Sequence, residues 1–476
     1  GERNRLHLAM ALKEEGNVDK FGYDRWNLRS NIDADIAHGL KFSMGISARL
    51  QNQDNPYYSA NPDAYGNIGA QMVRMLPYLP KTQTYNGEEY YVGNISNGMN
   101  MSVLGSIYDN GYYRVNNNNF NSNMALQWDT PFLKGLSVKF NLNYDANFQF
   151  TKQLNDPAKI LLYQYGASEN RAPDVLNYNL YNNFNNGYIA LTESASRNQT
   201  ITTITTINYN NQFGLHNISA LALAETREFK TNGLGGTGFG LPFISLDELQ
   251  FISNSTFDGK EKLPTITGSS SKSRVAGFAG RINYNYDERY FVEASVRHDG
   301  SYLFGGMNKR WVTLPGVSLG WRIDRENFFT ADWVDNLKLR GGFGQTATSG
   351  ISPFYWRNTM ALNKNGVVIG GSTGPYISAS ILGNPTLTWS KTDNYNIGFD
   401  ASLWHGLLGI EFDVFYKYQY DILTYNTGAW PPSMGGFHYS SANLDKNDYK
   451  GFDLTFTHRN RVGDFSYGAK LIWSYA

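Results

Sequence analysis

The sequence contains no cysteine, little proline and no long apolar run, and each absence narrows the class of protein. Without cysteine the chain forms no disulfide and offers no thiolate for catalysis or metal binding. No stretch approaches the ~18 consecutive apolar residues of a membrane-spanning helix, which excludes a helical membrane protein. The 41 basic and 41 acidic side chains cancel, so no charge excess indicates nucleic acid as a partner.

Aromatic residues, glycine and asparagine are abundant instead, with 33 Tyr, 28 Phe, 10 Trp and 48 Gly in 476 residues. Nothing in the composition divides this length into separate compact cores. The N-terminal segment has neither an apolar core nor a small-residue cleavage site, so no signal peptide is visible. We expect that such a peptide has been removed, or that the chain starts inside a larger protein.

The residue pattern of segment 136–151 determines the predicted fold class. Apolar side chains occupy the even positions from Leu136 to Phe150, and polar side chains occupy the odd positions from Ser137 to Thr151. A period of two is that of a β-strand. Strands of a soluble sandwich usually have about 5 or 6 residues, whereas a tilted strand needs roughly 9 to 11 to cross a bilayer. The length of this segment therefore favours a transmembrane β-strand.

The same alternation recurs along the chain, at 40–50, 317–323, 395–403 and 410–422, and less clearly at 201–213, where threonine fills both faces. Short and long links alternate between the strands, and in outer-membrane barrels short turns face the periplasm. The short links are 37–39, 130–135, 214–215, 286–289, 405–406 and 460–463, with 324–336 an intermediate link on the same side. The long, external ones are 51–119, 151–199, 230–274, 300–312, 347–390 and 424–448.

These patterns predict an all-β protein, a transmembrane antiparallel β-barrel with about 15 strands in this chain, long extracellular loops and short periplasmic turns. Single-chain bacterial barrels close with an even number of strands. The chain also begins within one predicted strand, 6–12, and stops within another, 465–475. We therefore expect it to be part of a barrel, with strands missing at both ends.

The tryptophans fall at two levels of this barrel. Amphipathic rings at the two membrane interfaces form aromatic girdles in such proteins. One predicted girdle lies at the short-turn end and comprises Trp128, Trp321, Trp333 and Trp404. The other lies near the opposite strand ends and comprises Trp26, Trp311, Trp389 and Trp473.

A series of short motifs occurs in one order along nearly the whole chain, at 24–31, 297–301, 314–322, 337–340, 384–389 with 396–400, 415–417 with 421–423, and 450–453. Together these motifs resemble those of the SusC/RagA family of TonB-dependent transporters. Three departures from the family pattern are Leu314, Ser390 and the Gly341-Gly342-Phe343 triplet.

The resemblance implies a 22-stranded barrel, an N-terminal plug, a TonB box, usually a carboxypeptidase-like leading domain, and a SusD-like lipoprotein lid. Residues 1–476 are then a partial barrel domain, with the plug, the TonB box and the final strands not in this chain. The implied function is import of oligosaccharides or oligopeptides across the cell outer membrane, without a cofactor. The implied partners are outer-membrane lipids, the lipoprotein, and the TonB complex, which would be contacted through an N-terminal region absent from this chain. Whether two transporter–lipoprotein pairs form a dimer is an open question at this point.

Aromatic and amide side chains of the outer loops are the candidates for substrate contact. Aromatic faces stack on sugars or pack against peptide side chains, and amides such as those of 116–119 supply hydrogen bonds. The alternative is that these aromatic residues pack loop against loop or contact the lid. They are Tyr57, Tyr58, Tyr90, Tyr91, Tyr112, Tyr113, Tyr355, Trp356, Trp430 and Tyr439.

A second set of residues is predicted to face the lumen, where the interior is wet or touches the plug. Pairing with plug charges is favoured over contact with substrate for each of them. They are Lys139, Asp145, Glu293, Arg297, Arg322, Arg340, Glu411 and Asp413.

Other motifs are better explained without a site. The glycine pattern at 233–238 matches a dinucleotide fingerprint, but the required βαβ unit is absent and we place it in an outer loop. Asp445, Asn447 and Asp448 lack the spacing of a calcium loop. No grouping of histidine with a nucleophile indicates catalysis, so neither enzymatic activity nor a metal is expected. A passive channel and a barrel scaffold in a larger envelope assembly stay open as alternative functions.

Overall fold

A computed structural model describes residues 5–11, 20–57, 68–77, 79–96, 99–164, 177–182, 188–255, 261–425 and 441–476. Its helices are α1 (Ile68–Arg74), α2 (Val103–Tyr108) and α3 (Met307–Arg310), with 3-10 turns at Leu249–Phe251 and Ile323–Arg325. None of the helices in these ranges has the length and apolar character needed to cross a membrane. The strands are, in chain order, β1 (Arg5–Ala11), β2 (Gly22–Ala37), β3 (Leu40–Pro56), β4 (Thr82–Tyr85), β5 (Glu88–Ser96), β6 (Met99–Met101), β7 (Gly111–Asp129), β8 (Leu136–Asn155), β9 (Lys159–Gln164), β10 (Asn177–Asn182), β11 (Ala190–Phe213), β12 (His216–Phe239), β13 (Thr265–Tyr286), β14 (Tyr290–Ser301), β15 (Trp311–Arg322), β16 (Val334–Thr348), β17 (Thr359–Ile369), β18 (Ser372–Ile381), β19 (Ser390–Leu403), β20 (Leu408–Tyr425), β21 (Ser441–Val462) and β22 (Phe465–Tyr475).

Fifteen of the strands form one antiparallel sheet, the wall, in the order β1-β2-β3-β7-β8-β11-β12-β13-β14-β15-β16-β19-β20-β21-β22. The predicted fold class and strand number are therefore confirmed. Within the described residues β1 pairs with β2 alone and β22 with β21 alone, so the wall is open at both edges. The long connections carry a second sheet, β10-β9-β5-β4 with β6 on β5, and the hairpin β17-β18.

The register gives the wall two chemically different faces. Val138 lies between Trp128 on β7 and Ile207 on β11. The even-numbered residues of β7 and β8 and the odd-numbered residues of β11 therefore share one face of the wall, which is apolar along 136–150. Asp145, on the opposite face of β8, lies between Asn121 and Thr200. A barrel in a bilayer turns the apolar face to lipid and encloses the polar face. We use the names apolar face and polar face for the two sides below.

The short turns lie where the sequence predicts them. β2 and β3, β11 and β12, and β21 and β22 are each joined by two residues, and β13 and β14 by three. Glycine takes the left-handed conformation in several of these turns, for example Gly39, Gly214 and Gly463. Such turns bring consecutive strands into antiparallel pairing, so all of them lie at one end of the wall, the short-turn end.

The wall strands extend further than the sequence predicts. β11 and β12 have 24 residues each. At about 3.3 Å per residue and a tilt of about 45°, such a strand rises about 55 Å, against about 30 Å for the hydrocarbon core. The upper part of the wall therefore stands clear of the bilayer at the end opposite the short turns, the long-loop end.

The predicted bounds of the long loops are wrong for this reason. Above the bilayer no side chain must be apolar, so the alternation fades while backbone pairing continues. The predicted loop 51–119 contains the end of β3 and the start of β7, and the predicted loop 424–448 contains the start of β21. The predicted loops 151–199, 230–274 and 347–390 are too wide in the same way. The glycines at 233–238 lie within β12, and the amides at 116–119 lie within β7, not in loops.

A small apolar core ties the outer connections together. Phe304 and Leu387 are fully buried, and the Phe304 and Trp389 rings lie 5.1 Å apart. The indole Nε1 of Trp389 donates to the carbonyl of Arg310 at 3.1 Å. Trp389 is therefore not in a lipid-facing girdle, and that prediction is wrong. We call this group, completed by Val312 and Ile351, the outer-loop core.

Candidate functional site

The register places all eight side chains predicted for the lumen on the polar face. All three arginines among them are paired with carboxylates. Arg297 contacts Glu225 and Asp299, Arg322 contacts Asp324, and Arg340 contacts Asp400 and Asp413. The remaining members are Lys139, Asp145, Glu293, Glu411 and Asp413.

Arg340 lies at the centre of the tightest of these groups. Its Nε donates to both carboxylate oxygens of Asp400 at 3.1 Å, and its two terminal nitrogens donate to the Asp413 carboxylate. Asp453 on β21 lies directly opposite Asp413. One guanidinium therefore holds carboxylates from two strands in place, on a wall that would otherwise carry like charges side by side.

Replacing Arg340 by leucine should destabilise the wall by about 1–2 kcal/mol, because the two aspartates lose their partner. The cost is modest since the three side chains keep roughly a third of their surface in solvent. Urea unfolding of the full-length protein in detergent measures the change. Arg461→Leu is the matched control, since Arg461 is 70% exposed and 3.8 Å from its carboxylate. Equal midpoints for the two variants would refute a structural role for the pair.

Between the charged groups the polar face of β7 and β8 is an array of amides. Asn147 donates to Asn117 at 2.5 Å, and Asn121 donates to Asp145 at 2.6 Å. Nearby, the Asn143 Oδ1 atom is buried without a hydrogen-bond partner among the described residues. Amides offer donors and acceptors on one side chain, so this surface can bind neutral polar groups of many shapes.

Three shallow depressions follow the polar face. One of about 390 Å³ lies beside Asn121 and Asn143. A second, of about 660 Å³, includes Glu293 together with asparagines near the short turns. The third, of about 630 Å³, includes Arg297 and lies over the glycines of β15 and β16. Amides and charges therefore accompany open space along the length of the wall.

The aromatic residues predicted for substrate contact divide between two environments at the long-loop end. The Tyr112 hydroxyl contacts Asp247, and the Arg114 guanidinium lies 3.9 Å from its ring centre. Tyr91 stacks on Tyr108 at 6.0 Å, and Tyr90 contacts Glu88. These rings belong to the rim above the bilayer.

The other candidates lie deeper or are not described. Tyr355 packs against the outer-loop core, and the Trp356 ring lies against the backbone of Gly305. Burial raises the pKa of Tyr57, and Tyr113 pairs with Asn55 and Gln153 within the wall. The predicted contacts Tyr58, Trp430 and Tyr439 lie outside the described residues.

A rim pocket of about 700 Å³ opens beside the start of β7 and contains three carboxyl groups, of which Asp54 is paired with Arg114 and the others are Asp109 and Asp156. Burial raises the pKa of Asp109, and the nearby charge of Lys20 lowers it to a smaller extent. Burial also raises the pKa of Asp156, and the charge of Asp109 raises it further. Because Arg114 is engaged by Asp54, the Asp109 and Asp156 carboxyl groups make their side of the pocket suitable for a hydrogen-bond-donating group.

This pocket gives the rim a pH dependence. A carboxyl group with a raised folded pKa contributes stability below its unfolded pKa and loses that contribution as pH rises through the folded pKa. Asp156→Asn should therefore stabilise the rim at pH 7 by up to about 1 kcal/mol and leave it unchanged at pH 3. Hydrogen exchange of residues near Asp109 at the two pH values measures this. An equal effect at both would contradict the assignment, and Asp464→Asn, a fully exposed site, is the control.

Residues 76–476 match the family described as TonB dependent receptor-like, beta-barrel. The chain belongs to this family. It is 25% identical to the TonB-dependent receptor P26 of Formosa agariphila over 97% of this chain and 43% of that one, and 25% identical to the TonB-dependent receptor SusC of Bacteroides thetaiotaomicron over 81% and 36%. The chain thus spans less than half the length of these relatives.

Solved structures agree on the fold. The RagAB peptide importer in its open-open state superposes with a TM-score of 0.73 at 19% identity, over 97% of this chain and 47% of that one. The predicted resemblance to the SusC/RagA family is confirmed by these relatives. The family is one of outer-membrane receptors and transporters and is not an enzyme family.

In a TonB-dependent receptor barrel, the tryptophans predicted at the short-turn end would meet the membrane interface. Trp333 and Trp404 stack at 5.7 Å and are each about half exposed. Trp128 is similarly exposed beside Phe132, and the Trp321 Nε1 donates to Glu326 at 2.9 Å. Exposed indole rings, and an indole N–H that meets a carboxylate, suit an interface between lipid and water.

Two charged groups of this barrel are missing from the sequence prediction. Lys152 contacts Glu193, Asp247 and Glu248, which fastens the loop after β12 to the wall. The Glu228 carboxylate on the apolar face is surrounded by Lys230, Lys272 and Arg274. The signal available in the sequence is charge at positions that continue an apolar alternation, and only the cross-strand register brings these residues together.

Proposed function

We propose that the chain forms the wall of an outer-membrane importer of SusC/RagA type. The importer takes up oligosaccharides or oligopeptides, draws energy through TonB, and is capped by a SusD-like lipoprotein. The observation that carries the proposal is the amide-lined polar face of β7 and β8, with the apolar residues 136–150 of β8 on the opposite side of the wall. Membership of the TonB-dependent receptor family supports it.

The chemistry of the polar face favours a polar ligand of mixed character. Arg297 and Arg340 are engaged by wall carboxylates, so they do not present an unpaired cation cluster to a small anion. The amides of Asn117, Asn121 and Asn147 supply donors and acceptors that match hydroxyl groups or peptide bonds. The similarity to a structure described as a peptide importer supports oligopeptides, and the aromatic rim suits glycans equally.

The long-loop end supports a place for a lid. The wall strands rise well above the hydrocarbon core, and the outer-loop core around Phe304 and Trp389 fastens the connections there. A rigid rim is a suitable docking surface, because the rim itself then loses less conformational freedom when a partner binds. The lipoprotein would cover this end, and Tyr113, on the polar side of β7, would lie between lid and lumen.

The two edge strands of the wall, β1 and β22, each have one neighbour among the described residues. Backbone groups at an open sheet edge cannot stay unpaired in lipid. We propose that β1 and β22 pair with further strands to complete a 22-stranded barrel around a plug. On this view residues 1–476 are one part of the barrel domain, and TonB contacts a separate N-terminal region.

Uptake by cells that carry the full-length protein tests the proposal. Deletion of the gene should abolish uptake of fluorescent oligosaccharides or oligopeptides, and a protonophore should do the same in the complemented strain. An importer leaves planar bilayers non-conducting at rest. A freely conducting barrel would favour the passive channel, and unchanged uptake after deletion would favour the scaffold.

A double variant tests the polar face directly. Asn117→Leu with Asn147→Leu removes amides that face the lumen, and we expect at least a tenfold fall in uptake of the same probe. The matched control is Phe148→Leu, the neighbour of Asn147 on the apolar face. Both proteins must reach the membrane in equal amounts, measured by surface labelling. Equal uptake by variant and control would contradict a ligand path along β7 and β8.

A further inference from the structure

Three basic side chains gather on the apolar face of the wall. Lys230 and Lys272 approach the Glu228 carboxylate at 2.8 Å and 3.0 Å, and Arg274 contacts its other oxygen. Glu228 pairs with Arg274 across β12 and β13, and Lys230 pairs with Lys272. Two residues below, Thr226 pairs with Ala276 on the same face. The cluster thus continues the row of side chains that faces lipid.

The height of the cluster coincides with one boundary of the bilayer. Glu228 lies 12 residues above His216, the first residue of β12 at the short-turn end. At about 3.3 Å per residue and about 45° of tilt, this is a rise of about 28 Å, close to the ~30 Å thickness of the hydrocarbon core. The cations therefore lie at the headgroup level of the outer leaflet.

The charges do not balance within the cluster. One carboxylate meets three cations, which leaves two net positive charges on a surface that lipid covers. The Glu228 side chain is 23% exposed, whereas the side chains of Lys230, Lys272 and Arg274 are 45%, 43% and 64% exposed. Their nitrogens are thus available to an outside anion, and ammonium and guanidinium groups are the usual protein donors to phosphate.

A shallow groove crosses the apolar face from β12 to β15 beside the cluster, and Glu228 and Arg274 form part of its lining. It has a volume of about 610 Å³, and its floor consists of small residues, Thr226, Ala276 and Gly300, between Ile201 and Trp311. A Cβ at Gly300 would lie 2.7 Å from the Trp311 ring, so the indole packs against bare backbone there. The small residues leave room for the first part of an acyl chain directly beside the cations that would contact its headgroup.

We propose that this surface binds an anionic, phosphate-bearing lipid of the outer leaflet. The phosphate is held by Lys230, Lys272 and Arg274, and one acyl chain lies in the groove over Ala276. The inference rests on the proposed function only in that the wall must lie in the outer membrane. Charge complementarity selects the occupant, because a neutral lipid would leave the two excess cations without a counterion.

Native mass spectrometry of the full-length protein in detergent, with added lipid A as the probe, tests the assignment. The wild type should bind phosphorylated lipid A at least tenfold more tightly than dephosphorylated lipid A, and inorganic phosphate at the same concentration should not compete. Lys230→Gln with Lys272→Gln and Arg274→Gln should remove this preference. Competition by free phosphate would show an anion site without a lipid requirement and overturn the proposal.

Two further variants separate the parts of the site. Ala276→Leu fills the groove without changing charge, and we expect weaker binding of both lipid A forms with the phosphate preference kept. Lys139→Gln with Arg281→Gln removes cations from the polar face and is the matched control, with unchanged lipid binding. If the triple variant instead loses a dimer while lipid binding persists, the surface is a contact between copies and the proposal is wrong.

Uptake measured on the same variants keeps this inference apart from the proposed function. Loss of lipid A preference with normal uptake supports the lipid site and leaves the importer intact. Normal lipid binding by a protein that transports nothing would count against the importer alone. Retained lipid A preference in the triple variant refutes the lipid site whatever the uptake result.

Discussion

Replacing Phe304 by alanine should open the outer connections while leaving the transmembrane wall folded. Phe304 is fully buried between Leu387 and Trp389, and its removal leaves a cavity in a small core. Truncation of a buried phenylalanine costs about 3–5 kcal/mol, so amide exchange in 302–310 and 384–389 should accelerate by at least about two orders of magnitude. Hydrogen-exchange mass spectrometry of the full-length protein measures this region by region.

The same variant links the outer-loop core to function. If the core holds the rim that receives a lid, lipoprotein capture by the detergent-solubilised receptor should fall with the loss of protection. Phe243→Ala is the control, because Phe243 lies in another outer connection and is 65% exposed. Exchange that accelerates equally in the wall strands would show that Phe304 supports the whole barrel, which contradicts the separation described here.

Gly135→Ala should impair assembly of the wall, because two independent constraints meet at this residue. Its φ of +88° is a conformation that an L-residue adopts at a cost of about 1–2 kcal/mol. A Cβ would also lie 1.9 Å from the carbonyl oxygen of Asn210 on β11, and neither backbone can move without breaking strand pairing. We expect a loss of folded barrel, measured by heat-modifiable mobility on gels and by urea unfolding.

Gly214→Ala is the matched control for this variant. Gly214 also has a positive φ, +61°, in a turn at the same end, but no atom lies within 4 Å of the added Cβ. The Gly214→Ala variant should lose only the stability that the strained turn conformation costs, and it should still assemble. Equal loss in the two variants would mean that the approach to Asn210 is unimportant and that turn conformation alone decides assembly.

The sequence by itself determined the class of fold, because the membrane imposes a period of two on every residue that crosses it. The even positions of 136–150 are apolar and the odd positions polar, and β8 presents those two sets on opposite faces. Turn chemistry is equally local, so Gly39, Gly214 and Gly463 appear where the short links were predicted. The family was indicated by the order of short motifs along the chain, including those between 297 and 340.

The bounds of the upper strands were decided only by the tertiary structure. Where the wall stands in water, either face tolerates polar residues, so sequence alternation no longer reports pairing. The glycine-rich end of β12 looks like a loop in the sequence and is held as a strand by β11 and β13 on its two sides. Trp389 likewise looks like an interfacial residue and is buried by loops distant in sequence.

The contacts of the candidate sites also depended on the tertiary structure. Arg340 was predicted to pair with a plug, but strands 60 and 73 residues further along the chain place Asp400 and Asp413 beside it. The cluster around Glu228 follows from the register of β12 against β13. The sequence determined which face each side chain occupies, since that depends on neighbours one or two residues away. Register between strands decided which side chains meet, because that depends on pairing across long loops.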